Sequence, residues 1–187
     1  MQKAIKGHST YNRIVFGALI GPIFLVDPAW AACTTAAATT ACDATAPNPW
    51  VTTIGAGNVP TADNITVNVN SGSQVAVGNA NAISLRDNAN ITVANGAVVS
   101  ATATTTNGQF NTGGNTIEIR NNGLITIDQG GQVLALGTQG SAEAVNFQGP
   151  GNTIVNNGTI RAVNAVAIWS QNTSGLNTVD VSESRLA

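Results

Sequence analysis

Charge is scarce in this chain. Only 9% of its 187 residues are charged and 4% are aromatic, although 43% are hydrophobic. A disordered chain would be charged and poor in β-branched residues, so this composition calls for a fold, and the length suits about one domain. A helical globule would carry more Leu, Glu and Lys. Both lysines (Lys3 and Lys6), the only histidine (His8) and the only tyrosine (Tyr11) lie in the first eleven residues. Beyond them a His-based catalytic triad is excluded. What is abundant is Asn, Thr, Gly, Val, Ile and Ala, the vocabulary of short strands joined by tight turns.

The N-terminus has its own grammar. "MQKAIKGHSTYNR" is basic, "IVFGALIGPIFLV" (14–26) is apolar, and "DPAWA" ends on Ala29-Trp30-Ala31. Basic start, short apolar core and small-residue site predict a secretory signal peptide over 1–31, cut between Ala31 and Ala32. Thirteen apolar residues are too few to span ~30 Å of hydrocarbon as a helix. A lipoprotein signal is the weaker alternative, because Trp30 stands three before Cys33, where Leu is usual. Removing the signal leaves Arg86, Arg120, Arg161 and Arg185 against Asp43, Asp63, Asp87, Asp128, Asp180, Glu118, Glu143 and Glu183, four against eight, a net charge of −4. A Lys-free, mildly acidic surface is poorly suited to nucleic acid or anionic lipid.

Cys33 and Cys42 come just after the cleavage site in "ACTTAAATTACDA". In an oxidising compartment two such neighbours pair. The spacing, without a nearby histidine, is a poor metal signature. The pair is expected to staple an N-terminal cap over 32–60 that includes Trp50.

From 61 to 187 the chain repeats. One aliphatic residue per copy aligns "DNITVNVNSG" (Ile65), "ANITVANG" (Ile91), "NTIEIRNNG" (Ile117), "NTIVNNG" (Ile154) and "NTVDV" (Val179), at intervals of 26, 26, 37 and 25. A period in this range marks a repeat architecture. Within each copy the period is 2: Ile65, Val67 and Val69 share one face, and Ile117 and Ile119 are inward while Glu118 and Arg120 are wet. A meander has no reason to return the same residue at this interval. A parallel β-helix does, since its coils stack and equivalent residues form columns. The expected fold is therefore all-β, a right-handed parallel β-helix behind a cleavable signal peptide. In "GNTIVNNGTIRAV", Ile154 fills the core, Asn156-Asn157-Gly158 turns the corner, and Ile160 and Ala162 fill the next side. Stacked Asn residues are expected to bond along their columns. "AISL" (82–85), "AVNF" (144–147) and "AVAI" (165–168) look like a second column. The long interval places an extra loop within "GTQGSAEAVNFQGPG".

"GGNTIEIRNNGLITI" and "GPGNTIVNNGTIRAV", behind a signal peptide, resemble the passenger region of bacterial type V autotransporters, over about residues 60–181. The resemblance implies export, passage through the outer membrane, and display or release at the surface. It also implies a β-barrel translocator, whose alternating strands do not come after Val181, so the barrel is expected beyond this chain or on another. The Asn-Pro-Asn-Gly phrase of two-partner secretion is absent; "APNPW" (46–50) only approaches it. Host or matrix glycans or proteins are the expected partners, with no cofactor and no metal.

Parallel β-helices also carry polysaccharide lyases and hydrolases. These need clustered acids with a His, Lys or Arg, and each acid here reads as a solvated turn or outward residue, Asp87 beside Arg86 and Asp128 after a strand included. A coil can still bring two distant carboxylates together for glycoside hydrolysis, so a carbohydrate-active enzyme stands as the alternative, with an inert matrix protein as the third reading. Trp169 and Phe147 are candidates for sugar stacking or for closing the core. "SATATTTNG" (100–108) is a Thr-rich stretch expected on the outer face. Val179 and Val181 open a fifth copy, and the expectation is an uncapped end, as in the N-terminal part of a longer passenger.

Overall fold

The computed structural model describes residues 33–104, 114–138, 140–171 and 175–181. The signal segment, with Ala31 and Ala32, lies outside them, as do 105–108 of the Thr-rich stretch, Glu183 and Arg185. Short runs of β-branched residues alternating with Asn, Thr and Gly make strands of two to four residues. They run as β1 (Cys33–Ala36), β2 (Thr39–Cys42), β3 (Thr66–Val69), β4 (Gln74–Val77), β5 (Ile83–Ser84), β6 (Asn90–Val93), β7 (Val98–Ala101), β8 (Ile117–Ile119), β9 (Leu124–Ile127), β10 (Gln132–Ala135), β11 (Val145–Phe147), β12 (Thr153–Asn156), β13 (Thr159–Ala162), β14 (Ile168–Ser170) and β15 (Thr178–Val181). From β3 onward, every third strand returns to the same sheet. The first sheet is ordered β1-β2-β3-β6-β9-β12-β15, the second β4-β7-β10-β13 and the third β5-β8-β11-β14. All pairings but β1–β2 are parallel. The chain is a parallel β-solenoid of about five turns.

One-sided alternation becomes three walls of one core. Thr40, Val67, Ile91, Ile125, Ile154 and Val179 form one column of the first wall. Val75, Val99, Val133 and Ile160 line the second. Ile83, Ile117, Val145 and Ile168 line the third. The side chains of Val67, Ile91, Ile125, Ile154, Val75, Val99, Val133, Ile83, Ile117 and Val145 are fully buried. At ~25 cal/mol per Å² of apolar surface, a fully buried Val or Ile is worth ~1.5–3 kcal/mol, and stacking repeats this gain at each coil.

The corners are columns too. Two residues before the first-sheet strand of successive coils stand Asn64, Asn88, Asn122 and Gly151, with φ of 59, 57, 55 and 79°. Only Gly, or Asn with its short polar side chain, adopts this left-handed backbone at low cost. Asn88 Nδ2 donates to Asn64 Oδ1 at 3.1 Å, linking two coils.

The N-terminal end is closed on every wall. Residues 33–42 form an antiparallel hairpin with Cys33 bonded to Cys42, and β2 continues the first sheet. Trp50 and Ile54 reach the second and third walls as single bridges to Val75 and Ile83. Thr40 ends its column with a polar group, its hydroxyl 2.9 Å from that of Thr35.

The register corrects the expected alignment. The first-wall column runs Val67, Ile91, Ile125, Ile154, Val179, at intervals of 24, 34, 29 and 25. Ile65 lies at the corner two residues earlier, and Ile117 belongs to the third wall. The cause is physical: "NTIEI" and "NITV" carry the same alternation, and alternation alone does not say which wall a strand joins. Third-wall equivalents are "AISL", "TIEI" (116–119), "AVNF" and "AIWS" (167–170), so the match to "AVAI" falls two residues early. The extra residues are also placed differently. The corner between second and third walls takes five residues after β4 and after β13, nine after β10 and fifteen after β7. "GTQGSAEA" thus holds four extra residues, and ten fall between β7 and β8.

Candidate functional site

Outward positions on the third wall depart furthest from the sequence pattern. Glu118 alternates with Ile117 and Ile119 and so points away from the core, yet it is only 5% exposed; Glu143, expected to be solvated, is 8% exposed. Both correct the expectation of wet acids. The reason is a lateral packing of polar side chains. In three successive coils a polar residue precedes the outward strand position by three: Asn81 and Ser84, Asn115 and Glu118, Glu143 and Asn146, all buried. Ser84, Glu118 and Asn146 are in cross-strand register. Spaced ~4.8 Å apart from coil to coil, these groups shield one another from water and must bond to one another.

They do so with a consistent direction, donors leading to carboxylates. Glu118 Oε1 accepts from the Ser84 hydroxyl at 3.3 Å, and Oε2 accepts from Asn115 Nδ2 at 3.2 Å. Ser84 in turn accepts from Asn81 Nδ2 at 3.3 Å. Asn115 Oδ1 accepts from the backbone N–H of Glu143 at 3.0 Å, tying the two coils. Glu143 Oε2 accepts from Asn146 Nδ2, and Asn146 Oδ1 from Gln171 Nε2, both at 3.2 Å. Burial pushes the Glu118 carboxyl above its usual range, against the opposing pull of hydrogen bonds from Asn115, Gln148, Ser84 and Asn81. Burial raises Glu143 too, opposed by Asn146 and its own backbone N–H. Every partner named is neutral, so the network holds the two carboxyls by dipoles rather than by ion pairing.

The other acids are brought to different places. Asp63, Asp87 and Asn121 stack at one corner: Asp63 Oδ1 accepts from the Asp87 N–H at 3.1 Å, and Asp87 Oδ1 from Asn121 Nδ2 at 2.8 Å. Arg86 lies 3.4 Å from Asp63 and 3.6 Å from Asp87. Asp43 is bonded by the hydroxyl and N–H of Thr45, which hold its carboxyl low. Among the described residues no three His, Cys, Asp or Glu side chains are placed to hold a metal ion. Phe147 is core, 1% exposed, whereas Trp169 is 47% exposed on the outer face in register with Asn146.

The outward column of the third wall is therefore Ser84, Glu118, Asn146 and Trp169. The polar spacing that builds it is visible as N-A-I-S, N-T-I-E and E-A-V-N. That recurrence, rather than any single acid, is the signal for this site. Both carboxyls are engaged inside the network, which rigidifies the wall and presents amides and an indole at its end.

No protein-family model, no curated protein and no solved structure matches this chain.

Proposed function

We propose that this chain is an exported β-solenoid passenger of the autotransporter kind, a rigid scaffold displayed at a bacterial surface or released from it. The observation that carries the reading is the N-terminal closure. A basic and apolar leader is followed at once by a disulfide-bonded hairpin, which starts a stack of nearly uncharged columns. Disulfides persist in oxidising compartments, and stacked repeats need a cap before they need anything else. In this role a translocator barrel, on this polypeptide or another, carries the solenoid outward, and host or matrix glycans or proteins meet its walls.

Expression of the full chain in a Gram-negative host tests the export step. The expected product begins at Ala32, carries no free thiol and fractionates outside the cytoplasm. An intact mass retaining Met1, a lipid on Cys33, or two alkylatable thiols overturns it. Binding on a glycan array separates an adhesin from an inert scaffold. The alternative, a carbohydrate-active enzyme, is favoured only by the meeting of Glu118 and Glu143 in one network. Turnover of an acidic polysaccharide, abolished by Glu118→Gln or Glu143→Gln, would establish that reading instead.

A further inference from the structure

The disulfide holds a strand that little else holds. β1 pairs only with β2, and of its four residues only Cys33 is buried, with Thr34, Thr35 and Ala36 exposed. No charged residue lies between Cys33 and Cys42, so no ion pair ties the hairpin. Its turn runs through Ala37 at φ of 52°, a left-handed backbone that disfavours an ordinary side chain such as alanine. Without the sulfur bond, β1 keeps its ladder to β2 and the 2.9 Å contact between the hydroxyls of Thr35 and Thr40. Those are the resources of a two-stranded hairpin, which is marginal in water.

β2 is held by other means. Thr40 and Cys42 are both buried, and Cys42 heads the inward column of Val69, Val93 and Ile127. Thr66 N–H donates to Ala38 O at 2.8 Å, and Asn70 N–H to Cys42 O at 2.9 Å. Backbone polar groups turn alternately to the two sides of a strand, so Ala38, Thr40 and Cys42 face β3. Thr39 and Ala41 then face β1, opposite Ala36 and Thr34. The two sides of β2 therefore carry separate reporters, one for each neighbour.

We propose that the bond between Cys33 and Cys42 is a redox latch on one strand. In the dithiol state β1 lifts off while β2 and the coils stay in place, and oxidation shuts β1 down again. Lifting β1 bares the N–H groups of Thr39 and Ala41, an unpaired edge able to take another strand. Opening takes a thiol reductant. One thiolate of an added dithiol attacks the sulfur of Cys33, the less buried of the two, and Cys42 leaves as a thiolate. The second thiolate of the dithiol then displaces Cys33, and the reagent departs as a cyclic disulfide, having given up the electron pair. Both cysteines take a proton from water. Closing runs the same exchange backwards and needs a disulfide-bearing oxidant. The latch does not rest on the export reading.

Amide hydrogen exchange followed by NMR tests it, on the protein recovered from expression of the full chain. Three forms are compared: oxidised, reduced by a small dithiol, and Cys33→Ala, which leaves the Cys42 side chain at the head of its column. In the second and third forms the Thr39 and Ala41 amides should exchange roughly 30-fold faster or more, the scale of the chain-entropy effect of so short a disulfide loop. The Thr66 and Asn70 amides should keep their protection. Adding Ala37→Gly to Cys33→Ala should slow Thr39 and Ala41 again, because glycine takes the left-handed turn without a Cβ penalty. Unchanged exchange at Thr39 and Ala41 in Cys33→Ala overturns the proposal. So does protection lost at Thr66 and Asn70 as well, or a Cys33→Ala chain that does not fold, since the bond would then hold the solenoid and not one strand. Should the folded protein resist the dithiol, Cys33→Ala decides alone.

Discussion

Asn115 donates from Nδ2 to Glu118 Oε2 at 3.2 Å, three residues along the same coil. This contact sits at the middle of a network whose donors converge on carboxylates. Truncating the acceptor strands them. Glu118→Ala removes the acceptor of the Ser84 hydroxyl and the Asn115 amide in a site 5% exposed, and an unsatisfied buried polar group costs about 1–3 kcal/mol. A loss of that size in urea unfolding is expected, where an ordinary surface residue such as the exposed Arg161, changed to Ala, should cost less than about 0.5 kcal/mol. Equal costs at the two sites would mean that Glu118 is wet after all.

The same network makes stability depend on pH. Burial raises the carboxyls of Glu118 and Glu143 above the ordinary glutamate value of 4.5, so the folded chain keeps their protons to higher pH than the unfolded chain does. Stability is then full below 4.5, falls as pH rises through the raised range, and is level above it. Asp43, held low by Thr45, acts in the opposite sense, below its ordinary 3.8. The melting temperature is expected to be higher at about pH 4.5 than at about pH 8. The double variant Glu118→Gln, Glu143→Gln should flatten that difference, because Gln keeps a carbonyl acceptor for Asn115 and Asn146 and the Ser84 hydroxyl is free to reverse. A wild-type profile that rises from acid to neutral pH would refute the assignment.

How far the sequence reaches is clear from particular residues. Alternation in "NTIVNNGTIRA" places Ile154, Ile160 and Ala162 as they are found, because one-sided burial is a local property, and the corner is made by Asn157 and Gly158 alone, Asn156 being the last residue of β12 in register with Ile127. Alignment on the same alternation sets Ile117 in the wrong column, because the wall a strand joins depends on how many residues the preceding corner holds. It also sets Glu118 in water, because alternation names the side of a strand, not what lies beyond it. The burial of Glu118 comes from Ser84, 34 residues earlier, and from Asn146 in the next coil. Only the repetition of the polar pair at i and i+3 carries that information in the chain itself.

One column gives a graded test of stacking. Ile125 and Ile154 are fully buried and Val179, in the same column, is 45% exposed. Ile125→Ala and Ile154→Ala should each cost about 2–5 kcal/mol, the range for an aliphatic truncation in a packed core. Val179→Ala should cost well under half of that. Ile117→Asp and Ile154→Asp should abolish the cooperative melt, since an unpaired buried carboxylate costs several kcal/mol. Chemical denaturation of the single variants ranks them, and a Val179→Ala cost equal to that of Ile125→Ala would show that the last coil is covered.

The corner column makes the sharpest distinction between backbone and side chain. Asn122 has φ of 55° and Asn88 has φ of 57°, and Gly151 occupies the equivalent place in the fourth coil. Asn122→Val forces a β-branched residue into left-handed backbone, at a cost of roughly 1–2 kcal/mol. Asn122→Gly accepts the backbone and should change stability little. Asn88→Gly keeps the same backbone but loses the 3.1 Å bond to Asn64 Oδ1, so it should cost more than Asn122→Gly, by up to about 1 kcal/mol. Gly151→Ala is expected to be worse than either glycine variant, because φ is 79° there and the added Cβ would run into Asn122 Oδ1. Thermal melts of the four variants give the order: Asn122→Gly mildest, Asn88→Gly next, then Asn122→Val and Gly151→Ala. A melt in which Asn122→Gly is as damaging as Asn122→Val would show that the asparagine side chain, and not the left-handed turn, is what this corner requires.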